Sequence, residues 1–406
     1  MTPNSFSKRL EACVWFATVG ALLMVGMNGS VRAEAYRPTD DTVVLEKLRT
    51  VPLDAETREL RGLRENLSRS PTNLPLATAL AKRLIQKSRV TADPRYVSYA
   101  QAALSPWWKQ AEPPVEVLVL RATIRQSQHD FTNALADLNL VLKAAPANAQ
   151  AWLTKATVLQ VLGNYEEAKR AAVPLLRLAP QLIAVTAAAG PASLSGEASA
   201  SYQRLDSALR SAQGTPDGER LWALTVLAEM AGRLGKVNEA EAHFKQALGQ
   251  PHPDVYLLTA YADFLIDQDR AAEVIKLLEN QPPSDAVLLR LARAEKKLGG
   301  ARLAEYVSWL QDRFEASARR GESIHQREEA IFQLHLLNHP ASALRLAREN
   351  WNCQKEPADA CIFLEAALAV GDPEAARPVL SFLETNRLEH VQLQKLAARL
   401  QRKGAP

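Results

Sequence analysis

Two histidines four residues apart, His335 and His339, could present a pair of metal ligands on one face of a helix. No carboxylate, histidine or cysteine completes the set at motif spacing, and Pro340 ends the turn, so no metal is expected. Two cysteines, Cys353 and Cys361, bracket a short segment around Pro357; thiols so placed could form a disulfide or stay separate and buried. The carboxylate pairs Glu166-Glu167 and Glu328-Glu329 belong to solvated helix faces, and nothing marks an acid/base couple. The chain has no glycine-rich phosphate loop, serine nucleophile elbow or CxxC, and Gly299-Gly300 reads as a turn between helices. Neither a catalytic residue nor a cofactor is expected. Trp107-Trp108, set between Pro106 and Pro113-Pro114, is either an anchor for a partner or a lid over the adjacent hairpin, with the lid favoured.

The elements that would position these residues are helical. Across 406 residues, 47% are hydrophobic, 23% charged and only 6% aromatic, with Leu and Ala dominant. Ala and Leu lose little on entering a helix, and this balance supports a packed core rather than disorder. The formal net charge is +4. Lys8, Arg9 and Arg32 against Glu11 give the first 33 residues +2, leaving +4 − 2 = +2 for the remainder. Such a balanced chain lacks the concentrated basic face of a nucleic-acid binder.

Lys8-Arg9, an apolar run from Ala12 to Met27, and small residues before a cut after Ala33 have the three-part layout of an export signal. The run is roughly 16 residues, short of the ~20 that span a bilayer, so cleavage is favoured over an uncleaved anchor. Cys13 precedes the apolar run and is therefore not a lipid-attachment site. The mature protein is expected in the periplasm or otherwise exported, peripheral to a membrane at most. In that oxidising setting Cys353 and Cys361 read as a disulfide.

An internal repeat sets the architecture. Leu118 pairs with Trp152, Ala122 with Ala156, Phe131 with Tyr165, Ala134 with Ala168 and Pro146 with Pro180, each at a spacing of 34. A fixed period of this length is the signature of stacked helix pairs. Large apolar residues recur every three or four positions, and alanines stand where two helices approach closely. These residues resemble the tetratricopeptide repeat, the segment around Trp152, Ala156, Gly163, Tyr165, Ala168 and Pro180 most strongly. The resemblance implies an all-α fold: an α-solenoid, a right-handed superhelix of about nine or ten hairpins, capped by an amphipathic helix over Leu388–Lys403. The Gly190-Pro191 step is expected to kink or break the first helix of its unit. The expected division is a signal peptide at 1–33, degenerate N-terminal helices at 34–114, units including the best-matching pair at 115–216, central units at 217–320, and C-terminal units with the cap at 321–406.

In such proteins the first helices of successive hairpins line a concave groove. Carried onto this chain, the central groove comprises Trp222, Thr225, Glu229, Arg233, Tyr256, Asp263, Asp267, Arg293, Lys296 and Lys297. An aromatic pair, then acids, then a basic cluster would suit an extended peptide or a helix of alternating charge. The resemblance implies a scaffold or adaptor that binds a protein or peptide, not nucleic acid, with homodimer formation left open. The second functional reading is an accessory subunit of an envelope assembly or export machine, and an enzyme with an unrecognised site ranks last.

Overall fold

The computed structural model describes residues 40, 54–321 and 325–404. The expected export signal and the expected cut after Ala33 lie outside the described residues. The chain divides into two units, one ending at Asp54 and the other spanning Ala55–Pro406, and every described helix belongs to the second. No strand occurs among the described residues.

A lone helix, α1 (Ala55–Arg69), precedes a run of antiparallel hairpins. These are α2 (Leu74–Thr91) with α3 (Arg95–Ala103), then, after the short α4 (Ser105–Trp108), α5 (Val115–Ser127) with α6 (Phe131–Ala144). Next come α7 (Ala149–Val161) with α8 (Tyr165–Ala172) and α9 (Leu175–Leu178), α10 (Gln181–Ser193) with α11 (Ala198–Ser211), and α12 (Asp217–Arg233) with α13 (Val237–Leu248). The array continues through α14 (Val255–Asp267) with α15 (Ala271–Leu278), and α16 (Asp285–Leu298) with α17 (Leu303–Arg319). Then α18 (Gln326–Ile331), extended by a π-helical turn over Phe332–Leu336, pairs with α19 (Pro340–Cys353), and α20 (Pro357–Val370) with α21 (Arg377–Thr385). Finally α22 (Val391–Gly404) caps the array by packing Leu393, Leu396 and Leu400 into the last cluster. No described helix is long and apolar enough to cross a membrane.

The local chemistry explains the boundaries. Asn73 and Asn148 are both N-caps, accepting from Leu76 N (3.1 Å) and Ala151 N (2.9 Å), which is why their surroundings echo one another in the sequence. The repeated alanines Ala122, Ala134, Ala168, Ala228, Ala240 and Ala262 are fully buried at the helix crossings. Pro191 departs from expectation: α10 runs through it to Ser193 without a break. Only two helical residues follow it, so the hydrogen bond that its nitrogen forfeits loosens the last turn without dividing the helix. Gly190 lies against the end of the Gln160 side chain of the preceding hairpin.

The tryptophan loop is a lid. Trp107 and Trp108 pack on the cluster formed by α1–α5. The buried guanidinium of Arg121 holds the loop by donating from Nη1 to the carbonyls of Trp108 (2.7 Å) and Gln110 (3.0 Å). Its other face makes a two-pronged pair with the buried Asp137, Nε–Oδ2 2.9 Å and Nη2–Oδ1 2.7 Å.

The solenoid curls until its last hairpins rest on its middle ones. Glycines at the inter-helix turns of three consecutive hairpins, Gly163, Gly196 and Gly235, lie under Phe382, Arg387 and Val391 in that order. Lys355 N donates to Val161 O (2.8 Å), Tyr165 Oη to Lys355 O (3.3 Å), and Ala198 N to Glu389 Oε2 (2.7 Å). The Tyr165 and Phe382 rings meet edge-on at 5.8 Å, and Tyr165 and Leu194 join the apolar cluster of α19–α22. Residues 355–391 thus form a clasp along three turn tips.

Candidate functional site: a charged interior and its cleft

Because of the clasp, the concave face is enclosed rather than an open trough. Tyr256 is 58% exposed to water, yet its phenol pKa is pushed well up by Glu229, by desolvation and by Glu356 of the C-terminal hairpins. The same enclosure raises the Glu229 carboxyl and, together with the charge of Arg233, pushes the His390 imidazole down to about 3.

The expected groove residues divide into several roles. Thr225 is buried and donates to Leu221 O in its own helix (2.8 Å), so it does not face the groove. Trp222 is half-buried against the alanine-rich cluster of α7–α10 and serves stacking between hairpins. Glu229 accepts from Tyr256 Oη at 2.6 Å. Asp263 is held by Arg290, through Nε at 3.1 Å and Nη2 at 2.5 Å, and by Arg293 Nη1 at 3.2 Å. Arg233 donates to Ser193 Oγ (2.9 Å), and its buried Nε has no partner among the described residues. The alternating charges assigned to a partner are thus largely paired with one another across adjacent first helices.

The basic cluster also serves the fold. Lys296 Nζ donates to the carbonyls of His335 (2.6 Å) and Leu336 (3.3 Å), satisfying the end of the π-helical turn. Lys297 Nζ donates to Ile266 O (3.1 Å) at the end of α14 and to the Asp269 carboxylate. These side chains nevertheless surround one feature. Ile266, Asp267, Asp269, Arg293, Lys296, Lys297 and His335 line a cleft of about 440 Å³, within the ordinary size range of ligand sites. Four of the sequence-derived candidates, Asp267, Arg293, Lys296 and Lys297, converge here. Desolvation, with the neighbouring Asp263 carboxylate, raises the Asp267 pKa to about 6.

His335 and His339 do not share a helical face. The π-helical turn carries His335, whose Nε2 lies 2.9 Å from Glu365 Oε2, while His339 stands outside the helix as the N-cap of α19 beside Gln333. The residues with no sequence signal are Arg327, Glu356 and Asp359. Arg327 Nη1 reaches Glu356 Oε2 (2.8 Å) and Asp359 Oδ1 (3.3 Å), and Asp359 also accepts from Asn350 (2.8 Å) and Gln354 (3.2 Å).

That network occupies the α19–α20 turn where a disulfide was expected. Cys353 and Cys361 are both free thiols. Cys353 is exposed at the last residue of α19, whereas Cys361 faces the carboxylates of Glu365, Asp267 and Asp359, which with burial raise its thiol well above the usual range. The thiolate is the reactive form. A maleimide is therefore expected to label Cys353 within minutes and Cys361 only after denaturation, read by peptide mass spectrometry. Two protected thiols that become reactive together on adding reductant would show a bridge instead.

Helix pairs of about 34 residues, buried alanines between paired helices, and turns with left-handed backbone, at Gly163, Gly196, Gly235, Gly299 and Gly371 on glycine, are all present in this chain. It has the tetratricopeptide-like fold. No protein-family model matches the sequence, and no curated protein does. Among solved structures, a tetratricopeptide repeat protein from Parabacteroides merdae is 16% identical, covering 63% of this chain and 91% of its own at a TM-score of 0.41. The human IFIT1 dimer with m7Gppp-AAAA is 14% identical, covering 86% of this chain and 87% of its own at 0.46. A Rap protein complexed with competence and sporulation factor is 16% identical, covering 84% and 92% at 0.45.

Proposed function

We propose that this protein is an exported adaptor that holds a segment of a partner polypeptide inside its superhelix. The observation that carries the reading is the concave interior over which the C-terminal clasp closes. It presents an exposed aromatic ring, Tyr256, and a charged cleft at Asp267 and Arg293, on rigid first helices. Hydrogen-bonding groups on a preformed apolar scaffold are what a site for an extended chain requires. Export rests on the Lys8-Arg9 leader and its apolar run, and would place the chain in the periplasm. Fusing residues 1–40 to a phosphatase that is active only outside the cytoplasm tests it; an inactive fusion rejects export.

The functional test is a photo-crosslinking amino acid in place of Tyr256, with a second at Leu176, which is 63% exposed, as a control. One dominant polypeptide captured from the Tyr256 position and absent from the Leu176 control is expected. Equal capture at both, or none at Tyr256, would reject the interior as the binding surface.

A further inference from the structure

In the cleft beside α14 nearly every charged group already has a partner. Arg293 lies on Asp263, Lys296 on two carbonyls, Lys297 on Ile266 O and Asp269, and His335 on Glu365. The Asp267 carboxylate makes no hydrogen bond or ion pair among the described residues, although it lines the cleft. It is the last residue of α14, where the helix dipole places partial negative charge and favours a cation. We infer that the cleft takes the cationic side chain of a bound polypeptide, a lysine ammonium or arginine guanidinium, with Asp267 as its carboxylate partner and Ile266 beside its aliphatic stem.

This deepens the reading of the interior as the binding surface and rests on it. The surrounding charges agree. Asp267 faces Asp263 from its own helix, Arg293 and Lys297 from α16, and Glu365 with the Cys361 thiol from α20. The cations among them already serve other acids and carbonyls, and the carboxyl stays raised to about 6 despite them. An incoming cation would supply what these neighbours do not. An anionic ligand would instead meet three carboxylates and displace partners from capped helix ends.

Binding must then follow Asp267 ionisation. With a pKa of about 6, only about a tenth of the sites are ionised at pH 5 and nearly all at pH 7.5, while a lysine or arginine side chain stays charged throughout. The experiment titrates the full chain with N-acetyl-lysine methylamide, the arginine and glutamate analogues, and spermidine, following backbone amides by NMR at pH 5.0 and 7.5. The expected result is lysine or arginine binding that tightens about tenfold between the two pH values. It should vanish in Asp267→Asn, whose unchanged helical circular dichroism shows that it folds, and return in part in Asp267→Glu.

Binding that does not change with pH, undiminished binding to Asp267→Asn, or preference for the glutamate analogue would overturn the assignment. Spermidine binding without either side-chain analogue would overturn the polypeptide source. The titration needs no cellular partner. A failed photo-crosslink with a positive titration would reject the adaptor and keep the cation site; the reverse would keep the adaptor and reject the site.

Discussion

Asp137→Ala is expected to destabilise the N-terminal hairpins by about 3–5 kcal/mol, the usual cost of leaving one member of a buried ion pair uncompensated. Both members are nearly solvent-free, at 5% and 3% side-chain exposure. Asp137 serves two cations, since Arg125 Nη1 also reaches its Oδ2 at 2.6 Å. Its loss strands the Arg121 guanidinium, which in turn secures the tryptophan loop through two carbonyls. The effect should be regional, because stability in a repeat array is a sum of local units and interfaces. Hydrogen exchange should rise across 105–144 and stay unchanged across 340–404. Replacing both residues with apolar side chains, Arg121→Met with Asp137→Leu, should recover part of the loss, since the desolvation cost then disappears with the charges. Equal protection loss at both ends of the chain, or a single-variant cost below about 1 kcal/mol, would show that the pair does not organise the lid.

The fold was legible because it is periodic. Alanines at helix crossings and glycines at turns are demanded by close approach and left-handed backbone wherever they recur, so one good unit identified its neighbours. The site was legible only in outline. Repeat positions place Glu229, Asp263 and Arg293 on first helices but do not reveal whom those residues bind. Glu229 with Tyr256 and Asp263 with Arg290 are each 27 residues apart, one 34-residue repeat less two helical turns. That is the register at which adjacent first helices touch, and searching for opposite partners at this spacing would have found Arg290 and Tyr256 as bonding partners. No local pattern could have exposed the contact of Gly163 with Phe382, because it depends on how far the solenoid curls. Curl is a sum of small rotations at every interface, and no single repeat encodes it. The surroundings of the two cysteines were hidden for a related reason: compartment and spacing permit a bridge, but side-chain direction is set by α20, which brings Cys361 toward the interior carboxylates.

Release of the clasp should separate the curl from the stability of the hairpins. Gly163, Gly235 and Gly371 all have left-handed backbone, with φ of 77°, 74° and 80°. Any side chain at these positions incurs a similar local penalty, roughly 1–2 kcal/mol. They differ in what a Cβ would meet: the Phe382 ring at 2.8 Å from Gly163, Val391 at 3.3 Å from Gly235, and nothing within 4 Å of Gly371. Gly163→Ala should therefore lose the shared backbone term and also push Phe382 off Tyr165, breaking the stack at 5.8 Å and straining the Lys355–Val161 hydrogen bond. Gly371→Ala should lose the backbone term alone. Small-angle scattering should then show an increased radius of gyration for Gly163→Ala, with helical circular dichroism retained, and no expansion for Gly371→Ala. Gly235→Ala should fall between them. Phe382→Ala should open the clasp as well, at a cost of about 2–3 kcal/mol for a half-buried aromatic, below the range for full burial, because it removes the ring that Tyr165 and Trp351 both contact. Combining Gly163→Ala with Phe382→Ala should be less damaging than the sum of the two, since the small side chain no longer collides once the ring is gone. If the two effects simply added, or if the glycine control expanded as much as Gly163→Ala, the turn tips would not be what holds the superhelix closed.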